Sequence, residues 1–188
     1  MTSDIELLNA ARAKDKEALA KIFDLYASAL YKYAYRLGHD PIMADHIVGD
    51  VFAKLLEQLS SNRGPITNLR SYLYQSTYHM IIDKGRSSRR AAPLEVAASF
   101  RDDVHSSSPG LEDRVMLDLV SKIIQNDLTE DQRHVIVLRF IEDFSLKETA
   151  MILGKTVTHI KVIQNRAIAK LRKSLGGSGV ETRTDFPS

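Results

Sequence analysis

Ser145-Leu146-Lys147-Glu148-Thr149-Ala150-Met151-Ile152-Leu153-Gly154-Lys155-Thr156, running on through Val157 to Arg172, is the stretch on which the fold turns. A helix is expected to start at Ser145, whose hydroxyl can accept an amide of the first turn while Glu148 reaches back to the cap. Gly154 supplies a turn, and Thr156 can cap a second helix. Along that helix Val157, Ile160, Ile163, Ala167 and Leu171 recur at three- and four-residue steps and form one buried stripe. The other face carries Lys155, Lys161, Arg166, Lys170, Arg172 and Lys173, with His159, Gln164 and Asn165 among them. No acidic residue lies between Glu148 and Glu181, so a polyanion is the natural partner. A solvated basic helix alone would look similar. The capped helix before it, the tight turn and the missing carboxylates together point to a DNA-binding helix-turn-helix. Gly154-Lys155-Thr156 mimics the end of a phosphate-binding loop, but the glycine needed five positions earlier is Thr149 and no strand precedes it.

Composition narrows the class. The 188 residues include 44% hydrophobic ones, enough for one or two small cores. Lys and Arg number 26 against 24 Asp and Glu, a net charge of +2, so affinity for nucleic acid must come from segregation of charge along the chain. No cysteine is present, which excludes disulfides, thiolate zinc sites and a thiol redox switch. His39, His46 and Asp50 could share a helical face, yet such a surface group is commonly structural, and neither a metal nor a cofactor is expected. No long apolar run and no signal-peptide core occur, so a cytoplasmic protein without membrane insertion is expected.

Helical periodicity dominates, and sustained two-residue alternation is missing; the expected fold class is all-α. A first helix is read over Ser3 to Arg12. A second runs from Lys16 to Leu37, with Leu19, Ile22, Phe23, Tyr26, Leu30, Tyr33, Ala34 and Leu37 as its apolar face. Asp40-Pro41 starts a third, to about Leu59, the aspartate capping and the proline sitting where its missing amide costs nothing. Ser60 to Thr67 is a loop, and Asn68 caps a fourth helix from Leu69 to Lys84 that Gly85 is expected to stop. The pattern dissolves from Arg86 to about Pro109, which reads as a linker. A helix to about Asn126 follows, then one from Thr129, where Thr129 and Gln132 form another capping box ahead of Val135, Leu138 and Ile141. Two small helical domains on a flexible linker result: residues 1–85, a linker at 86–110, a helix-turn-helix domain at 111–175 and a disordered tail at 176–188.

With both halves laid out, the chain resembles the extracytoplasmic-function subfamily of sigma-70 RNA polymerase sigma factors, from Asp15 to Leu175. Ala44-Asp45-His46-Ile47-Val48-Gly49-Asp50-Val51-Phe52 is similar to the family helix that grips the polymerase clamp. Leu69-Arg70-Ser71-Tyr72-Leu73-Tyr74, followed by Ile82-Asp83 and a basic run, is similar to the helix that engages the minus-ten element. Leu128 to Leu171 matches the family's minus-thirty-five reader. The sequence departs at Gly49, where the family has Gln, at His46 in place of an acid, at Tyr72 in place of a common Trp and at His79 in place of a common Asn. A glycine inside a helix costs about 1 kcal/mol relative to alanine.

The resemblance implies a sigma factor that binds core RNA polymerase, at the clamp of the largest subunit and the flap of the second, and directs initiation at a set of promoters. Core binding falls on Asp45, His46, Val48, Gly49, Asp50 and Phe52. An opened strand needs planar side chains for stacking and cations for its phosphates. For the minus-ten region these are Asn62, Arg63, Asn68, Tyr72, His79, Lys84, Arg86, Arg89 and Arg90, with the loop from Asn62 to Asn68 placed to pocket a flipped base. Tyr74 and Tyr78 are four apart with Ile81, so one or both belong to the core, which favours His79 and the basic run. The stripe leaves Thr158, His159, Lys161, Val162, Asn165 and Arg166 outward as the minus-thirty-five reader. Val162 suits a thymine methyl, and Arg166 a guanine or a phosphate.

An anti-sigma factor is a further partner that the resemblance implies. No catalysis is expected, since no nucleophile, base and acid fall into a pattern. Two rivals remain: a dimeric helix-turn-helix regulator binding symmetric operators, and a degenerate sigma-like adaptor that binds a protein.

Overall fold

A computed structural model describes residues 4–38, 40–61, 63–64, 67–88, 124 and 126–176. Helices account for every regular element among the described residues. The described residues divide into two compact units, those up to Ser88 with 150–155 in the first, and those from 124 to 149 with 156–176 in the second. The linker at 86–110 falls outside the described residues apart from the end of one helix, as do the tail beyond Gly176 and most of the helix expected before Asn126. No described helix is long and apolar enough to cross a membrane.

The first unit is built from α1 (Asp4–Arg12), α2 (Lys16–Gly38), α3 (Pro41–Ser60) and α4 (Leu69–Ser88). Three of these starts are chemically marked. Asp15 Oδ1 accepts from the amides of Glu17 and Ala18 at 2.8 and 3.4 Å to begin α2. Asp40, held extended at φ −122° and ψ 113°, accepts from Ile42 and Met43 at 2.9 and 3.0 Å to begin α3. Asn68 accepts from Ser71 at 3.0 Å to begin α4. Between α1 and α2, Lys14 takes a left-handed φ of 63° and the amides of Lys14 and Asp15 close back onto Ala11 and Ala10.

Helix α2 packs against each of the other three. It buries Ile22, Leu30, Tyr33 and Ala34 against Leu8 of α1, Ile47, Val51 and Leu55 of α3, and Leu73 and Tyr74 of α4, all core residues. Tyr33 is fully buried and its ring lies 5.2 Å from that of Tyr74, tilted by 51°. Two expectations need correction. Phe23 is 48% exposed, because it stands about 100° around the helix from Ile22. Its ring meets Phe52 at 4.8 Å on the flank of α3. Gly85 does not stop α4, which runs to Ser88. Among the described glycines only Gly64 and Gly154 have positive φ, so the chain at Gly85 stays helical, at the modest entropic cost an internal glycine carries.

Tyr26 links α2 to α1 by donating to the Asp4 carboxylate at 3.2 and 3.4 Å. Partial burial first, and the Asp4 charge and hydrogen bond next, push its hydroxyl up to about 12. A raised folded-state value favours the protonated phenol, so this stabilisation is complete below the ordinary tyrosine value of 10 and disappears as pH climbs through about 12. Thermal melts across that range should show a falling midpoint, with a shallower fall in Tyr26→Phe; identical slopes would contradict the assignment.

In the second unit, α5 (Glu130–Ile136) opens with the expected capping box. Thr129 Oγ1 accepts from Gln132 N at 3.4 Å, and Gln132 Oε1 from Thr129 N at 3.0 Å. Beyond Ile136 the chain continues as a π-helical turn, Val137–Ile141. The Glu142 amide reaches Val137 O at 2.9 Å and the Phe144 amide reaches Leu138 O at 2.9 Å, across Asp143 at φ 52°. The wider turn slips the phase of the apolar stripe. Val137 and Leu138 stay buried while Phe140 and Ile141 are exposed, correcting the inward placement expected for Ile141. Helix α6 spans Leu146–Leu153 and α7 spans Val157–Gly176. Helices α5 and α7 pack together, with Leu128, Ile136 and Ala167 at the centre and Ile124, Ile168 and Leu171 around them.

Candidate nucleic-acid interface

The helix-turn-helix is assembled by local hydrogen bonds. The Ser145 amide donates to Glu148 Oε2 at 2.8 Å, and the Glu148 amide to Ser145 Oγ at 3.2 Å, completing the reciprocal cap. At the other end of α6, Gly154 adopts φ 62°. The Lys155 amide returns to Ala150 O at 2.9 Å and the Gly154 amide to Met151 O at 3.3 Å, the paired closure of a Schellman turn. Thr156 Oγ1 then accepts from His159 N at 3.2 Å and starts α7.

On α7, Ile160, Ile163 and Ala167 are buried, whereas Thr158, His159, Lys161, Val162, Asn165 and Arg166 are all exposed. They form an outward surface along the first half of α7, and its first turn, with Thr158 and His159, carries the positive end of the helix dipole, where an anion is favoured. Val162 is 41% exposed, an apolar group set among cations. Two polar members of the expected face are engaged elsewhere. Gln164 Oε1 accepts from Arg139 Nε at 3.1 Å, and Lys170 Nζ donates to the Asp127 carbonyl at 3.1 Å.

In the first unit the candidate strand-binding residues divide. His79 is exposed and its ring sits 5.3 Å from the half-buried Tyr78. Arg63 is exposed and Tyr72 half-buried. Tyr74 is in the core, with the Arg70 guanidinium 5.8 Å over its ring. Asn68 lies at the surface, but its side-chain oxygen is committed to capping α4. Asn62, Arg89 and Arg90, and the side chain of Arg86, lie outside the described residues. Lys84 forms an ion pair with Asp50 at 3.1 Å. With side chains 35% and 57% exposed, that pair is screened by solvent and contributes about 0–1 kcal/mol. A candidate minus-ten cation thus meets a candidate core-binding acid, a pairing that nothing in their spacing along the chain foreshadows.

Asp45, His46, Gly49 and Asp50 are exposed along α3, Phe52 is half-buried against Phe23, and Val48 is 7% exposed and belongs to the core. Beside them α2 and α3 border a groove of about 340 Å³ lined by Phe23, Ala27, Tyr31, Asp45, Val48 and Gly49. Its only trace in the sequence is the small side chains that let two helices leave a gap. Tyr31 has its hydroxyl raised by partial burial, then by the Asp45 carboxylate and by Tyr35. At Gly49 an added Cβ would meet nothing within 4 Å. Gly49→Ala is therefore expected to stabilise the chain by about 1 kcal/mol, read as a higher denaturant midpoint at unchanged slope. A lower midpoint would show a clash that the geometry does not contain.

Two all-helical units, the second ending in a helix-turn-helix with a cationic outer face, define a protein of the DNA-binding class. Comparison with known proteins narrows this. A family model described as Sigma-70 region 2 matches residues 22–91, and one described as Sigma-70, region 4 matches residues 126–173, together more than half of the chain. The chain belongs to the sigma-70 family, in its extracytoplasmic-function branch, and is a sigma factor. It is 25% identical to the ECF RNA polymerase sigma factor BldN of Streptomyces coelicolor over 91% of its own length and 65% of that protein. It is 23% identical to the RNA polymerase sigma factor YlaC of Bacillus subtilis over 90% of its own length and 99% of that protein. It is 27% identical to the ECF RNA polymerase sigma factor SigW of Bacillus subtilis, over 86% and 90%. Among solved structures, CnrH in complex with the cytosolic domain of CnrY superposes with a TM-score of 0.69 at 24% identity, over 93% of this chain and 97% of that one. The sigma factor RpoE of Bartonella quintana, in complex with the anti-sigma factor NepR, gives 0.63 at 23%, over 84% and 96%. Both likenesses concern the fold.

Proposed function

We propose that this chain binds core RNA polymerase and carries it to promoters whose minus-ten element is held by the first unit and whose minus-thirty-five element is read by α7. The observation that carries the reading is the outward face of α7. Its six candidate residues are exposed on a surface without carboxylates, opposite a buried stripe and behind a locally locked turn. Asp45, His46, Gly49 and Asp50 are the proposed contacts to the polymerase clamp, with the flap of the second-largest subunit meeting the second unit. His79, Arg63, Tyr72 and the basic run through Arg86, Arg89 and Arg90 are the proposed contacts to the opened strand. Residues 1–85 and 111–175 are the proposed functional domains, joined at 86–110. The role needs no catalysis, metal or cofactor from this chain, and it places the protein in the cytoplasm with the polymerase.

An anti-sigma factor is a proposed third partner, by analogy with RpoE of Bartonella quintana, solved in complex with the anti-sigma factor NepR. The test of the main reading is gel-shift binding of promoter-length DNA by the chain alone and by the chain with core polymerase. Sequence-selective binding that requires the polymerase is expected. Tight binding to symmetric sites without polymerase would instead establish an operator-binding regulator, and polymerase binding without any DNA preference an adaptor.

A further inference from the structure

The π-helical turn directs Arg139 toward α7, while its neighbours Phe140 and Ile141 face solvent. From there the guanidinium donates to two acceptors on different segments. Nε reaches Gln164 Oε1 on α7 at 3.1 Å, and a terminal nitrogen reaches the Phe144 carbonyl in the loop that precedes α6. Phe144 itself is buried, so its carbonyl is a fixed point. Gln164 stands on α7 three residues after Lys161 and immediately before Asn165, on the margin of the proposed reading face. Lys170 and Ser174 tie the far half of α7 to Asp127. The half that carries the reading face is held by the stripe of Ile160, Ile163 and Ala167, whose dispersion contacts are non-directional and leave it free to roll by small angles. A planar, forked donor bonded to that margin and to an anchored carbonyl opposes such a roll.

We propose that Arg139 is a positioning residue for promoter discrimination: through Gln164 it fixes the rotation of α7 and hence the aim of Lys161, Val162, Asn165 and Arg166 at base edges. Arg139 does not itself read a base. The inference rests on the reading of α7 as the minus-thirty-five reader. Lysine cannot replace arginine here, since a single ammonium lacks the planar fork that satisfies both acceptors.

The test uses holoenzyme reconstituted from the full chain and core polymerase, with promoter DNA randomised over the minus-thirty-five stretch, and measures enrichment of bound sequences. Wild type should enrich one motif. Arg139→Gln and Gln164→Leu should each lower the enrichment of that motif over random sequence by about tenfold, and the double variant by no more than either alone, as expected for partners in one interaction. Gln164→Glu retains an acceptor for Arg139; it should keep the motif while weakening binding to all sequences alike through charge repulsion. That rescue separates positioning from misfolding, which Gln164→Glu would not repair. If wild type enriches a motif and both Arg139→Gln and Gln164→Leu keep it, the inference fails while the sigma reading stands. Uniform weakening of all sequences by Arg139→Gln would make Arg139 a phosphate contact and overturn it equally. No motif with wild type would remove the reading of α7, and the inference with it.

Discussion

Replacing Tyr33 with alanine is expected to bring the first unit close to global unfolding. The side chain is fully buried in the middle of α2, and its ring packs on Tyr74 at 5.2 Å, so one truncation opens a void facing α4 at the centre of the core. Removing a buried aromatic side chain costs about 3–5 kcal/mol, and the tilted ring pair adds about 0.5–1.5 kcal/mol beyond area. Against a total stability of about 5–15 kcal/mol for a small domain, little remains. Calorimetry on the full chain should show the transition of the first unit shifted down by about 4–8 °C per kcal/mol lost, with the second transition in place. Tyr33→Phe keeps the ring and should recover most of the loss. A melting profile unchanged by Tyr33→Ala would mean that the core does not close around this residue.

Arg166→Ala is expected to produce the largest loss on DNA. If the guanidinium forks onto a guanine edge, the variant loses about 1–3 kcal/mol on the matching minus-thirty-five sequence and far less on a sequence altered at that one base pair. Titrations of holoenzyme on the two duplexes at matched salt decide it. Equal loss on both, with a shallower dependence on salt, would assign Arg166 to a phosphate. Val162 gives an independent handle on the same face. Its exposed side chain fits a thymine methyl, so replacing thymine by uracil in the site should weaken wild type and leave Val162→Ala unaffected.

These effects fall on residues whose legibility in the sequence differs for physical reasons. Helix starts are readable because a cap is a contact between residues two or three apart: Asp40 with Ile42 and Met43, Asn68 with Ser71, Thr129 with Gln132, Ser145 with Glu148, and Thr156 with His159 all form as expected. The stripe of α7 is readable for the same reason, since a three- and four-residue period needs no knowledge of the partner helix. Glycine signals are less uniform. Gly154 needs its positive φ and makes the turn, whereas Gly85 does not and is carried inside α4.

Contacts distant in sequence are not readable. Arg139 with Gln164, Lys170 with Asp127, Lys84 with Asp50, and the groove between α2 and α3 each depend on how helices are stacked. The π-helical turn at Val137–Ile141 belongs with these, because no residue there breaks a helix; its register is set by what Leu138 and Phe144 must bury. Phe23 falls off the expected apolar face because a hydrophobic residue at the edge of a stripe is assigned by the width of the neighbouring helix, which periodicity does not contain.

Transcription in vitro tests the central claim most directly. Purified chain is added to core RNA polymerase freed of other sigma factors, on sheared genomic DNA, and the new transcript starts are mapped. Starts that appear only with the chain and share a two-part motif upstream are the expected result. No new starts, together with polymerase-independent binding to symmetric sites, would contradict promoter selection by this chain.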